Sequence, residues 1–378
     1  MIPLYIWQTW HTKKLTPHMD ENIANLKKQH VEFTHALYDI SDCRAFILEY
    51  FDSNVLEAYD TLLPYAYKAD LWRLCVLYIH GGIYLDVKFQ CVGDFRLSEL
   101  LDKEYYAKDL IAYNISNGIM VCMPKNTSLL SAIKKIVQNV SIRYYGSSCL
   151  DITGPGLLKI LNLKCELEFI HNYPYFQKFG HNYSYFLTGK KILIGYSSYY
   201  SDLLPNNHYT NAWKEKRVYR QNTLMLIAHP DDETLFGYND LINASILTVV
   251  CFTNANNPIR SAEFYAVMAA LNAKGIMLDY NDSLNDYWPL LTNETCLSHI
   301  PNGNYECVVS HNGYGEYGHK QHIRVNSIAR YVAKALGLPF REFLPICDEP
   351  FRDSLLDLYV SQKESIMTFR DWGLNLYK

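Results

Sequence analysis

Apolar positions recur along this chain in two alternating rhythms. Between Tyr65 and His80, the residues Ala69, Leu71, Trp72, Cys75, Val76 and Ile79 return at helical spacing, and Gly81-Gly82 follows at once. The pattern predicts a helix over 65–80 ended by a glycine stop. Ile83-Tyr84-Leu85 then reads as a short buried strand with Asp86 at its end. From Ile2 to about Tyr200, short apolar strands and amphipathic helices take turns. The polar stretch from Pro205 to Asn222 has little apolar periodicity and predicts a domain boundary. A second series follows it: strands over 224–228, 246–252 and 306–309, helices over 261–273 and around 319–336, and a final helix near 354–367. Strands alternating with helices predict an α/β fold with a mostly parallel sheet in each half.

Composition narrows the classes. With 378 residues the chain is long enough for two domains, each burying its own core. The 35 basic side chains nearly balance the 39 acidic ones, so neither a nucleic-acid footprint nor a polybasic membrane surface is indicated. No apolar run is long enough to span a bilayer as a transmembrane segment, and the strand-like start Ile2 to Trp7 carries no charged leader, so the expected location is cytoplasmic. Ten cysteines stand singly with no CxxC pair, which favours reduced core thiols over disulfides or a thiolate metal site.

The densest chemistry lies in Ala228-His229-Pro230-Asp231-Asp232-Glu233, directly after the apolar run Leu224 to Ile227. His229 and Asp232 stand three apart where a strand turns into a helix, so both can face the carboxyl edge of the sheet, where open α/β folds bind ligands. A third ligand is expected from Tyr317-Gly318-His319-Lys320-Gln321-His322, which follows the strand around Val308-Val309. Two imidazoles and a carboxylate with an open position make a catalytic zinc set, leaving Asp231 to take a proton from water. The alternatives are plain: the aspartates could simply cap a helix, His311 could be structural, Glu233 could orient a neighbour, and Arg260 with Glu263 could form a surface helix pair.

These residues, with Arg260-Ser261-Ala262-Glu263, Ser310-His311-Asn312 and Tyr359-Val360-Ser361-Gln362, resemble the PIG-L/LmbE-like zinc-dependent N-deacetylases over about 222–378. The resemblance implies His229, Asp232 and His322 as ligands of Zn2+ and Asp231 as general base. It also implies His319 with Tyr317 at the acetyl carbonyl, and Arg260 as a substrate contact. The expected substrate is an N-acetylglucosamine-type unit on a glycan or glycoside.

In the first half, Asp70 and Arg73 on the 65–80 helix and Asp86 after the next strand point to a shared cleft. Carboxylates suit sugar hydroxyls and an arginine suits a diphosphate. The stretch resembles the glycosyltransferase family 32 group, which has a GT-A (Rossmann-like) fold and an Asp-x-Asp motif, over 1–216. That resemblance implies a nucleotide-sugar donor, Asp70 and Arg73 on the donor sugar, and Asp86 on ribose or metal. The opening strand with Trp7 and Gln8 is implied beside the nucleotide base, and Thr153-Gly154-Pro155-Gly156 nearer the acceptor. Where the family carries its second aspartate, this chain reads Asp86-Val87-Lys88. Three readings stay open: Lys88 is a fixed cation on the diphosphate, His208 completes a Mn2+ or Mg2+ site, or catalysis is lost. Lys88 as an ordinary outward residue, and Asp70 with Arg73 as a mere helix pair, stand as the plainer alternatives. The expected whole is a bifunctional glycan-assembly enzyme, a sugar transferase fused to an N-deacetylase. The rival makes the first half a non-catalytic sugar-binding module.

Overall fold

Nine residues of the helix Tyr65–His80 are buried, from Tyr67 to Leu77, so nearly its whole circumference is inside the protein. Such a helix has no solvent face and needs apolar residues on every side. It stops at Gly81, whose φ of 65° lies in the left-handed region that glycine enters without a steric cost. The computed structural model describes residues 1–109, 111, 113–161, 163–171, 183–195, 208–283, 288, 291–343 and 350–370. Cys347 and residues 205–207 of the polar stretch lie outside the described residues.

The chain divides into two compact units, Met1–Tyr219 and Arg220–Lys378. The first is built on a nine-stranded sheet of β1 (Tyr5–Thr9), β2 (Thr34–Tyr38), β3 (Gly82–Leu85), β4 (Phe89–Cys91), β5 (Tyr105–Lys108), β6 (Ile115–Cys122), β7 (Leu167–His171), β8 (Tyr183–Leu187) and β9 (Lys190–Gly195). Its order is β2-β1-β3-β6-β5-β7-β8-β9-β4. Only the β1–β2, β1–β3 and β5–β7 pairs are parallel, so the expectation of a mostly parallel sheet fails here. Strands joined by tight turns must run antiparallel, as β8 and β9 do across Thr188-Gly189. The polar stretch after Pro205 also contains a helix, Tyr209–Lys214, with Ala212 buried and Trp213 packed against the first core.

The second unit holds a five-stranded sheet in the order β12-β11-β10-β13-β14, formed by β10 (Gln221–Ile227), β11 (Ala244–Thr253), β12 (Lys274–Tyr280), β13 (Cys307–Ser310) and β14 (Phe340–Glu342). Every neighbouring pair in it is parallel. Along β10, Met225 and Ile227 join one core while Leu224, Leu226 and Ala228 join the other, so the strand is buried on both faces as parallel strands require. All five strands end at one edge, and the order reverses between β10 and β13. The expected final helix is broken in two, Pro350–Leu356 and Lys363–Phe369, with a tight turn over 360–362 between them.

At Gly81 an added Cβ would lie 2.7 Å from Pro124 Cδ and 2.9 Å from the Cys122 carbonyl oxygen. Left-handed strain and this overlap together cost about 2–4 kcal/mol. Gly81→Ala should therefore lower the urea midpoint of the first unit by about 1 M. An unchanged midpoint would contradict the role given to this stop.

Candidate functional site

The turn after β10 begins the site. Asp231 has φ 105° and ψ −27°, a left-handed conformation that a non-glycine residue keeps only when its surroundings hold it. Its amide donates to Glu233 Oε2 at 3.2 Å, and the Glu233 carboxylate in turn accepts from the Tyr359 and Thr234 hydroxyls at 2.6 and 2.8 Å. Glu233 is fully buried and acts as the strut of the turn. The next carboxylate, Asp232, accepts from the His229 amide at 2.7 Å.

Hydrogen bonds fix the imidazoles around Asp232. The Gln321 side-chain amide donates to the carbonyls of Asn281 and Ser283, so its oxygen is the atom that faces His229 Nε2 at 2.6 Å. That nitrogen must carry the hydrogen, and His229 Nδ1 is left with a lone pair. His322 Nδ1 lies 2.7 Å from Glu316 Oε2 and carries its hydrogen there, leaving Nε2 bare. The two bare nitrogens stand 3.2 Å apart. Asp232 brings Oδ2 to 3.3 Å from His229 Nδ1 and Oδ1 to 3.4 Å from His322 Nε2. Three acceptors thus converge on one point, an arrangement that repels itself until a cation enters. Tetrahedral bonds of about 2.0–2.1 Å span edges of about 3.3–3.4 Å, so the donor set and its spacing fit zinc.

The surrounding charge points the same way. Burial alone pushes the His229 pKa down, yet the Asp232 and Asp282 carboxylates outweigh it and raise it to about 10, which marks a place where positive charge is stabilised. Burial keeps His322 neutral, at about 4. Asp232 stays ionised, well below the ordinary carboxylate range, because His322, His311 and His229 together overcome its burial. Asp231 goes the other way: burial first, then the adjacent Asp232, lift it well above that range.

His311 also lies within ion-sharing distance of Asp232 and His322, and His319 of His229 and His322. Hydrogen bonding separates their roles. His311 Nε2 accepts from the Ala228 amide at 3.1 Å and Nδ1 faces Glu316 at 3.0 Å, so both nitrogens are engaged and the ring backs Asp232. His319 stands edge-on to His229 with ring centroids 4.8 Å apart, and its buried Nδ1 has no partner. Burial and the nearby His229 lower its pKa. Tyr317 packs its ring against Phe369 and lies 5.6 Å from the His319 ring. Arg260 reaches in from the helix Pro258–Ala270, donating to the Pro230 carbonyl at 2.6 Å and lying 3.4 Å from Asp231 Oδ2, with its buried Nε unpartnered. Glu263 turns elsewhere, accepting from the Ser361 amide and hydroxyl, so the surface-pair alternative does not hold.

Glu316, Asp282 and Gln321 were not singled out from the sequence. Gln321 neighbours His322 and could have been weighed as its companion. Glu316 gives no comparable signal, because a φ of 54° in a short kinked segment brings it under both His311 and His322.

In the first unit a cleft of about 750 Å³ is lined by Asp70, Arg73, Asp86, Lys88 and His208. Asp70 accepts from Asn117 Nδ2 and Thr153 Oγ1, each at 2.7 Å, and pairs with Arg73 at 3.1 Å. Burial raises its pKa despite Arg73. Asp86 accepts from the Tyr84 hydroxyl at 2.8 Å and lies 3.4 Å from Arg73 and 3.3 Å from Lys88. Asp70, Arg73, Asp86 and Lys88 therefore form one chain of charge along the wall rather than outward surface pairs. His208 caps the helix Tyr209–Lys214, its Nδ1 accepting from the Thr210 amide.

Trp7 and Gln8 do not line this cleft. Alternation along β1 sends Trp7 into the core, where its Nε1 donates to the Gly81 carbonyl, and Gln8 to the opposite face beside His35. The cleft meets the chain at the carboxyl end of that strand, at Thr9, Trp10 and His11.

Comparison with known proteins finds one match in each unit. Residues 15–107 match the family model of the glycosyltransferase sugar-binding region containing the DXD motif, and residues 224–333 that of the GlcNAc-PI de-N-acetylases, PIG-L. An uncharacterized protein of Acanthamoeba polyphaga mimivirus is 32% identical over 137 residues, 32% of this chain and 61% of that protein. An uncharacterized glycosyltransferase of the same virus is 32% identical over 131 residues, 33% of this chain and 52% of that protein. A probable N-acetylglucosaminyl-phosphatidylinositol de-N-acetylase of Dictyostelium discoideum is 27% identical over 145 residues, 34% of this chain and 55% of that protein. The chain thus spans between 52% and 61% of the length of these relatives. Its first unit is similar to the DXD-motif glycosyltransferase sugar-binding region, and its second to the PIG-L de-N-acetylases.

Proposed function

We propose that the second unit is a zinc-dependent N-deacetylase acting on an N-acetylglucosamine-type sugar, and that the first transfers a sugar from a nucleotide-sugar donor in the same glycan assembly. The observation that carries the deacetylase reading is the meeting of His229 Nδ1, His322 Nε2 and Asp232 within 3.4 Å, with the two rings held on their far sides by Gln321 and Glu316. His229, His322 and Asp232 would hold the ion, and zinc bound there would supply Lewis acidity toward water and the acetyl carbonyl.

The chain's own groups divide the proton work. Asp231 is adjacent to a ligand but is not needed as one, and its carboxylate, 3.4 Å from Arg260, is the group assigned to take hydrogen from the attacking water. The water oxygen bonds to the acetyl carbon. The bond to nitrogen then breaks, the proton passes to the amine, and acetate leaves. His319, with an unpartnered nitrogen beside His229, faces the acetyl oxygen or the departing amine, and Tyr317 stands beside it. Arg260, anchored on the Pro230 carbonyl and beside Asp231, contacts the sugar.

Mass spectrometry of the full chain with a panel of nucleotide sugars and N-acetylated acceptors tests the scheme. It should show a hexose-type addition and, separately, loss of an acetyl group. Neither change on any acceptor would overturn it.

Two substitutions separate the base from the ligands. Asp231→Asn should keep zinc and fold while deacetylation falls on the order of a hundred- to ten-thousandfold, whereas Asp232→Asn should lose zinc as well. Equal zinc loss in the two would show that the ligand and the base are exchanged. Glu316→Gln acts one step further out, releasing the His322 ring. It should weaken zinc affinity about ten- to a hundredfold in a competition titration against a chelator. Wild-type affinity would mean that Glu316 does not orient the ligand.

A further inference from the structure

The first unit bears a cation of its own where a divalent ion is expected. Its carboxylates are already compensated: Asp70 takes hydrogen bonds from Asn117 and Thr153 and pairs with Arg73, while Asp86 lies between Arg73 at 3.4 Å and Lys88 Nζ at 3.3 Å. Among the described residues, no group of three metal donors forms around them. An ion on Asp86 Oδ2 at about 2.1 Å would stand within about 5.5 Å of the Lys88 ammonium, where the two charges repel. With no third protein donor among the described residues, a divalent ion here would rest on Asp86 and the donor's own phosphates, against the Lys88 charge beside it.

We infer that Lys88 is a built-in counterion for the diphosphate of a nucleoside diphosphate donor, so that this cleft binds its donor without a divalent metal. The inference rests on the transferase reading of the first unit. The ammonium is well placed for it. Lys88 lines the cleft with Arg73, and its Nζ lies 4.7 Å from the Tyr183 ring centroid and 5.2 Å from that of Phe89, which hold the side chain over the wall. An ammonium has three hydrogens to donate, so its pairing with Asp86 does not by itself exclude donation to phosphate oxygens. Arg73, charged at any working pH, adds a second cation on the same side. Asp86 then positions Lys88 rather than holding a metal, which is why a carboxylate survives at the first place of Asp86-Val87-Lys88 and a base stands at the third.

Calorimetric titration of the full chain with UDP and with GDP tests this. The protein is first dialysed against chelator and resupplied with one equivalent of zinc, then measured with and without added manganese or magnesium. One of the two nucleotides should bind equally in both conditions. Lys88→Met should bind it on the order of ten- to a hundredfold more weakly in both, with an unchanged circular dichroism spectrum. Lys88→Asp, which rebuilds the second carboxylate, should bind only when manganese or magnesium is present. Wild-type binding that needs manganese or magnesium would overturn the inference and leave the transferase reading standing, as would undiminished binding by Lys88→Met. No binding of either nucleotide in either condition would overturn the transferase reading itself, and this inference with it.

Discussion

Three consecutive carboxylates, Asp231, Asp232 and Glu233, are buried within a single turn of this protein. Each ionised carboxylate taken out of water costs several kcal/mol unless something compensates it. The rest of the second unit is arranged around that constraint. Glu233 is met by two hydroxyls and an amide, Asp231 by Arg260, and Asp232 by three imidazoles. Two of those imidazoles have their hydrogens drawn away by Gln321 and Glu316, so they face Asp232 with lone pairs. A cation placed between them would face all three acceptors at once.

The two units answer the same electrostatic problem in different ways. In the first, Arg73 and Lys88 are side chains of the protein, and the carboxylates of Asp70 and Asp86 are neutralised before any ligand arrives. In the second, Arg260 meets Asp231, while Asp232 is faced by imidazoles. The parallel topology makes this feasible. Because β10, β11, β12 and β13 all end at one edge, the segments after them deliver His229 with Asp232, Arg260, Asp282, and His311 with His322 to a single place.

Much of this was legible in the sequence. The helix over 65–80 has the bounds that its apolar spacing and glycine stop imply, and the strands leading to His229 and His311 lie where apolar runs meet polar turns. His322 could be placed because its segment follows the strand around Val308-Val309 and so opens at the same sheet edge. Strand direction was not legible in the first unit, since periodicity records which face of a strand is buried and not which way its partner runs. Trp7 and Gln8 illustrate the same limit: the strand was recognisable, but only the sheet shows that the cleft opens two residues later. Glu316 was hidden for a different reason. Its role depends on a left-handed backbone in a short kink, and no spacing rule carries that.

The most direct measurement is a crystal structure of the zinc-loaded chain with anomalous data collected at the zinc edge. The account predicts one strong peak in the second unit, within about 2.0–2.2 Å of His229 Nδ1, His322 Nε2 and an Asp232 oxygen, with Asp231 and Glu316 outside bonding distance. A peak bound instead through His311 or His319, or a zinc-saturated crystal with no ion at Asp232, would contradict it.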